Sequence, residues 1–356
     1  MVRFSEIIKQ GITKNGKPKR SERSEKQSEP FRLSNLGELR LSVDKKSPPA
    51  EAGISKTVKD VKGIKEFFLN VLRYIKEVRK NVVDNRAFKI DPALILISKI
   101  INTPDQINEI YHSTIFFKPE EDYTISRPIN TLVYALKIGQ GLEYSAIQLL
   151  ELGLSAFLYD VGIFRIPESI TKKEGKLTGS EVAIIRKHPE MGRDILSPFK
   201  KDYPLLPRVA YEHHERENGQ GYPRGLKGEQ ICEYAKIVGI VDTYEAMIHN
   251  RPHRKAIMEH VSIRELIWSK SRMFSPKIIK AFIKEISIYP IGSYVRLNNR
   301  AAGMVIATNE ENPMKPALKL LFDGQGNIMM EDKIIKLDEN PLLHIVESVS
   351  EEEIPH

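Results

Sequence analysis

Five side chains between positions 160 and 242 can do metal chemistry: Asp160, His188, His213, His214 and Asp242. Three imidazoles and two carboxylates suit Fe, Mn, Zn or a similar divalent ion, and each residue falls on or at the end of a segment with helical patterning. Metal centres in helical bundles are built this way, from facing helices. Metal-bound water loses its proton near neutral pH, and a second ion can clamp phosphoryl oxygens during in-line attack, so phosphate-ester hydrolysis is the chemistry such a set serves. Taken singly, each residue has a plainer reading. A lone helical His is more often a surface or core side chain, and a lone Asp an ordinary hydrogen-bonded acid. The stretch His213-His214-Glu215-Arg216-Glu217-Asn218-Gly219-Gln220-Gly221-Tyr222-Pro223 adds weight, because two adjacent imidazoles run into a glycine-rich turn whose backbone can approach a ligand closely. Cys232 is the single cysteine, which excludes an internal disulfide and a cysteine-based zinc knuckle.

These residues need helices to hold them. Ile64, Phe67, Phe68, Val71, Leu72, Ile75 and Val78 recur at three- and four-residue steps and predict an amphipathic helix ending by Lys80. Further helices are predicted from Pro92 to Asn102, Ile125 to Gly139, Ser145 to Leu158, Thr178 to Leu196, Pro204 to Glu215 and Gln230 to Asn250. Thr178-Gly179-Ser180-Glu181 has capping-box spacing, which fixes the start of the helix carrying His188. After Pro290 the pattern turns to short β-branched or alternating runs, Ser293 to Leu297, Gly303 to Ala307 and Leu318 to Phe322. The expected fold is therefore mainly α, an all-helical bundle with a small C-terminal β appendage. The predicted division is a flexible basic tail (1–57), an N-terminal helical region (58–118), the site-bearing helical domain (119–288), a β extension (289–349) and an acidic tail (350–356).

Composition sets the class. With 356 residues, 41% hydrophobic and 29% charged, the chain can bury a sizeable core. Residues 1–50 hold 12 Lys/Arg against 6 Asp/Glu, so most of the net charge of +8 sits in a segment too polar to bury. That location argues against a nucleic-acid polymer as partner and for a solvated tether. The tail, its segment Phe31 to Leu41 and the β extension are candidate protein-docking surfaces. No apolar run reaches the roughly 20 residues a bilayer span needs, and Met1 to Arg20 is too polar for a signal peptide, so a cytoplasmic location is expected.

With these elements in place, the chain from about Tyr123 to Glu285 resembles the HD-GYP family, the bacterial metal-dependent phosphohydrolases that cleave cyclic di-GMP. The resemblance rests on His213-His214-Glu215, Gly219, Gly221-Tyr222-Pro223, Gly225-Leu226, Gly228, Asp242-Thr243-Tyr244-Glu245-Ala246-Met247 and Arg251-Pro252-His253-Arg254, in the family's order and spacing. Leu158 to Pro167 and Gly175-Lys176-Leu177-Thr178 through His188-Pro189 match two further segments. It implies an HD-type helical bundle, metal ligands at Asp160, His188, His213, His214 and Asp242, Asp160 as the catalytic carboxylate, and contacts to a cyclic dinucleotide from Gly221, Tyr222, Arg251 and Arg254.

The departures matter as much. Tyr159 replaces the His of the His-Asp doublet, Ile163 replaces the Lys that usually follows its glycine, and Arg127 and Tyr123 stand where an upstream His and Glu are expected. Of the family's ligands to the first ion only Asp160 and Asp242 remain, whereas those of the second, Asp160, His188, His213 and His214, are complete. One ion rather than two or three is expected. Two facing carboxylates in a semi-buried pocket repel unless a cation stands between them, so Arg127 is expected to pair with Asp160, Asp242 or both; the alternative is that it extends to solvent. Asn218 replaces an acid but can still close its turn, and Arg186 and Lys187 add positive charge beside His188. The function expected is cyclic di-GMP signalling through a degenerate HD-GYP domain that binds a nucleotide or partner with weak or no turnover. The alternatives are an active phosphodiesterase giving the linear dinucleotide or GMP, with Tyr159 as unusual ligand or hydrogen-bond donor, and a non-catalytic scaffold.

Overall fold

The computed structural model describes residues 61–102, 107–108, 110–111, 123–249, 257, 259–268, 271–286, 289, 291–309 and 312–349. The segments read as basic and acidic tails, and Phe31 to Leu41, lie outside the described residues. Helix α1, Val61–Val83, buries Phe68, Val71, Leu72, Ile75, Val78 and Val82, the stripe its periodicity predicts. It packs on α2, Asp91–Ile101, and on α3, Tyr123–Gly141. The centre of the bundle is α4, Ala146–Leu158, which lies against α2 and α3. Ser145 caps it, its hydroxyl accepting from the Gln148 N–H while the Gln148 side chain accepts from the Ser145 N–H.

Every residue of α4 from Leu152 to Leu158 is buried. The stretch Ala146–Arg165 is 20 residues long and apolar enough to pass for a membrane span, which corrects the expectation that no run reaches that length. Its hydrophobicity has another cause: 67% of it is buried inside the protein, as a central core helix requires. A 3₁₀ turn, Val161–Arg165, and the short α5, Glu168–Thr171, follow.

The predicted helix from Thr178 to Leu196 is two helices, α6, Gly179–Ile185, and α7, His188–Leu196. Thr178 and Glu181 do form the reciprocal cap. The break has a local cause, since Pro189 lacks an N–H and belongs in the first turn of a new helix rather than the interior of a long one. Helix α8, Leu205–Glu212, ends earlier than predicted, leaving His213 as its C-cap and His214 in the turn beyond. Helix α9, Glu233–Ile248, packs on α3 and α8, followed by α10, Glu259–Trp268, and α11, Pro276–Glu285.

The C-terminal strands are β1 Tyr294–Leu297, β2 Ala302–Ala307, β3 Ala317–Phe322, β4 Ile334–Lys336 and β5 Ile345–Val349. They form one antiparallel sheet in the order β4-β3-β2-β1-β5, with Val295, Leu297, Val305, Leu318 and Leu320 buried. Sequence pattern finds the three inner strands. It misses β4, three residues long with none buried, and β5, where two adjacent exposed residues, Val346 and Glu347, break the alternation.

Candidate metal centre

Asp160 lies one residue past the C-cap of α4, His188 opens α7, and His213 and His214 close α8. Three glycines let these segments approach. A Cβ on Gly162 would fall 2.0 Å from the His188 carbonyl oxygen, one on Gly221 2.5 Å from the His214 carbonyl oxygen, and one on Gly239 2.7 Å from the His213 carbonyl oxygen. Asp160, His188 and His213 are buried and His214 half-buried.

The imidazoles converge. His188 Nε2 lies 3.2 Å from His213 Nε2, 3.1 Å from His214 Nε2 and 3.3 Å from Asp160 Oδ1. The opposite ring nitrogens are committed: His188 Nδ1 donates to the Ile185 carbonyl at 2.7 Å and His213 Nδ1 to the Ala210 carbonyl at 2.8 Å. A carbonyl only accepts, so in the neutral rings both Nε2 atoms present lone pairs to each other. Burial, and then the neighbouring imidazoles, hold His213 and His214 well below the ordinary imidazole pKa of 6.5. Lone pairs this close fit a shared cation. Nitrogen donors with an adjacent carboxylate, His188 and His213 each fixed through the far nitrogen, are a donor set for a divalent transition ion.

The neighbouring half of the site is already filled by protein. Arg127 Nη1 donates to Asp160 Oδ2 at 2.6 Å, its Nη2 donates to Asp242 Oδ1, and its Nε lies 3.9 Å from Glu245 Oε2. The Arg127 side chain is only 12% exposed, so it does not reach into solvent. Tyr159, fully buried, donates its hydroxyl to Asp242 Oδ1 at 2.6 Å and meets the His213 ring edge-on at 4.9 Å. Asp242 thus accepts from Arg127 and Tyr159, and among the described residues the three donors that lie close enough together to share an ion are those of His188, His213 and His214.

The glycine-rich turn wraps this centre. Tyr222 stacks on His214 at 4.6 Å and 24°, its N–H donates to the His214 carbonyl, and the Tyr222-Pro223 peptide is cis. Asn218 accepts the Gln220 N–H and closes the turn as its amide allows. Ile163 lies instead in a groove with Arg79, Thr124 and Glu168. Arg251 and Arg254, and the side chain of Tyr123, lie outside the described residues.

Several working residues escape a motif reading. Buried Glu215 accepts the backbone N–H groups of Arg224 and Leu226 at 2.7 and 2.9 Å and so pins the turn. Arg216 donates to the carbonyls of His213 and Glu215. Glu245, fully buried, faces Arg127 and accepts from Asn130 at 3.2 Å. For Glu245 a signal exists, because Asp242 and Glu245 are three apart and share a helix face within an apolar run.

Asp and His side chains thus converge from separate helices of one bundle, as a metal centre requires. Residues 98–278 match the HD domain model and residues 294–356 a KOW domain associated with HD domains. The chain belongs to the HD domain family and, within it, to the HD-GYP group. It is 30% identical to a cyclic di-GMP phosphodiesterase of Pseudomonas aeruginosa over 63% of this chain and 54% of that protein. It is 28% identical to one of Borreliella burgdorferi over 58% and 54%, and 34% identical to one of Thermotoga maritima over 42% and 40%. The chain spans about half the length of the first of these relatives. Among solved structures, Bd1817, an HDG"Y"P protein from Bdellovibrio bacteriovorus, superposes with a TM-score of 0.51 at 14% identity, covering 64% of this chain and 74% of that one. That likeness concerns the fold.

Proposed function

We propose that this chain is a cyclic di-GMP signalling protein whose HD-GYP site holds one divalent ion, Fe, Mn or similar, at Asp160, His188, His213 and His214. Arg127 takes the place of the other ion, and the protein binds its dinucleotide with weak or no turnover. The observation that carries this reading is the Arg127 guanidinium bridging Asp160 and Asp242. A bound ion would supply Lewis acidity and an activated water. The chain's own groups do the rest. Ile185 and Ala210 aim the Nε2 atoms of His188 and His213 inward. Arg127 stands between Asp160 and Asp242, which could not both stay ionised side by side without a cation. Tyr159 stays a phenol, because burial before any other cause raises its pKa well above 10.0, so it donates to Asp242 and is no phenolate ligand. What the arrangement gives up is the mobile positive charge of a second ion opposite the leaving oxygen, and loss of one such stabilising group costs roughly 10²–10³ in turnover.

The intact histidine trio favours a second reading, residual phosphodiesterase activity on a single ion. Elemental analysis of purified protein joined to hydrolysis assays with added Mn or Fe separates the two. One ion per chain with cyclic di-GMP bound but not consumed supports the proposal. Two ions per chain and rapid formation of linear dinucleotide or GMP overturn it. The double variant Arg127→His with Tyr159→His should raise metal content toward two; no increase would show that Arg127 does not stand in for an ion.

A further inference from the structure

The arginines around this centre divide into two kinds. Arg127 is spent on Asp160 and Asp242, Arg193 on Asp194, and Arg208 and Arg224 on Glu212. Arg216 pairs with no carboxylate among the described residues, but its guanidinium is occupied by the carbonyls of His213 and Glu215 and by the Thr243 hydroxyl. Arg186 is different. It is the C-cap of α6, two residues before His188, it is exposed, and among the described residues no carboxylate pairs with it. Its guanidinium carbon lies 5.1 Å from the centroid of the Tyr222 ring, the ring that stacks on His214. His214 in turn lies 3.1 Å from His188 through its Nε2. An unneutralised cation is therefore held at the rim of the site, two ring contacts from the converging imidazoles.

Its geometry leaves it ready for an anion. A guanidinium resting on an aromatic ring uses its face and keeps its N–H donors at the edge, where they match the fork of phosphate oxygens. The electrostatic need is also visible. Asp160, Asp242 and Glu245 are buried carboxylates facing one guanidinium, so even with a divalent ion bound they offset much of the positive charge that an entering phosphodiester would meet, and a further cation at the mouth favours its approach.

We propose that Arg186 is the phosphodiester-anchoring residue of this site, taking the phosphate oxygens of a dinucleotide whose neighbouring base or sugar lies against Tyr222. The inference rests on the dinucleotide reading above and adds a residue and a role to it. The test is calorimetric titration of cyclic di-GMP into full-length, manganese-loaded protein at two salt concentrations, for the unaltered chain, Arg186→Gln, Arg186→Lys and Lys187→Gln. Charge-assisted hydrogen bonds of about 1.5–3 kcal/mol correspond to roughly 10- to 100-fold in Kd, the loss expected for Arg186→Gln. Arg186→Lys should recover part of it, and the salt dependence should be shallower in Arg186→Gln than in the unaltered chain. Lys187→Gln, one exposed charge further along, should change Kd by less than about threefold. Manganese content and Tm equal to those of the unaltered protein separate a lost anchor from a disturbed centre. Affinity of Arg186→Gln within about twofold of the unaltered chain, or an equal loss in Lys187→Gln, overturns the role of Arg186 alone. No binding by the unaltered protein overturns the dinucleotide reading and takes this inference with it.

Discussion

At the scale of single residues, the hydroxyl of Tyr159 and the guanidinium of Arg127 share one acceptor, Asp242 Oδ1, and the two losses should differ in size. Tyr159→Phe keeps the ring that meets His213 and removes one donor from a buried carboxylate, a cost of about 1–3 kcal/mol in denaturant unfolding. Arg127→Ala removes the cation that both Asp160 and Asp242 face, and stranded buried charges make the expected cost about 3–5 kcal/mol at neutral pH. If the two variants are equally stable, Arg127 is not the charge that keeps the carboxylates together. His213 and His214 set a pH dependence. Burial lowers both, so below the ordinary value of 6.5 the unfolded chain takes up protons that the folded rings refuse. Their contribution to stability is complete above that pH and is lost as pH falls through it. In metal-stripped protein, Tm followed from pH 8 to 5 should fall less steeply for His213→Asn than for the unaltered chain; an equal slope would mean that this ring takes up its proton as readily in the fold as in the unfolded chain.

Between elements, the decisive contact is the crossing of the turn after α4 with the start of α7. Gly162→Ala would press a methyl carbon against the His188 carbonyl oxygen and the Gly192 nitrogen, 2.0 and 2.6 Å from its ideal position. The two segments must separate, moving His188 from Asp160, so metal affinity should fall at least tenfold and Tm with it. Gly179→Ala is the control, because at the start of α6 nothing lies within 4 Å of the added carbon. It should be neutral or stabilising by up to about 1 kcal/mol, and a comparable loss of metal there would refute the crossing as the cause. These elements were unequally legible. The capping box at Thr178 and Glu181 reads directly from the sequence, as does the buried stripe of α1. The break after Arg186 was hidden, because Ile184, Ile185 and Met191 continue a helical apolar period across it and only Pro189 speaks against one helix. Charge logic found the pairing of Arg127 with the carboxylates. The contact of Arg186 with Tyr222 joins residues 36 apart through a turn whose course no local pattern records.

For the molecule as a whole, an ion bound to the folded state and not to the unfolded chain raises stability by mass action. At a thousandfold excess over its Kd, manganese should add about 4 kcal/mol to stripped protein, seen as a concentration-dependent rise in Tm. The same titration on His188→Ala should show little rise; an unchanged response in that variant would move the ion elsewhere. Arg127 gives the other half of the pocket a different character. A charge carried on a helix is inherited with every copy of the chain, so chelators cannot strip it and oxidants cannot alter its valence. Under metal starvation the contacts of Arg127 to Asp160 and Asp242 stay assembled, because they need no ion.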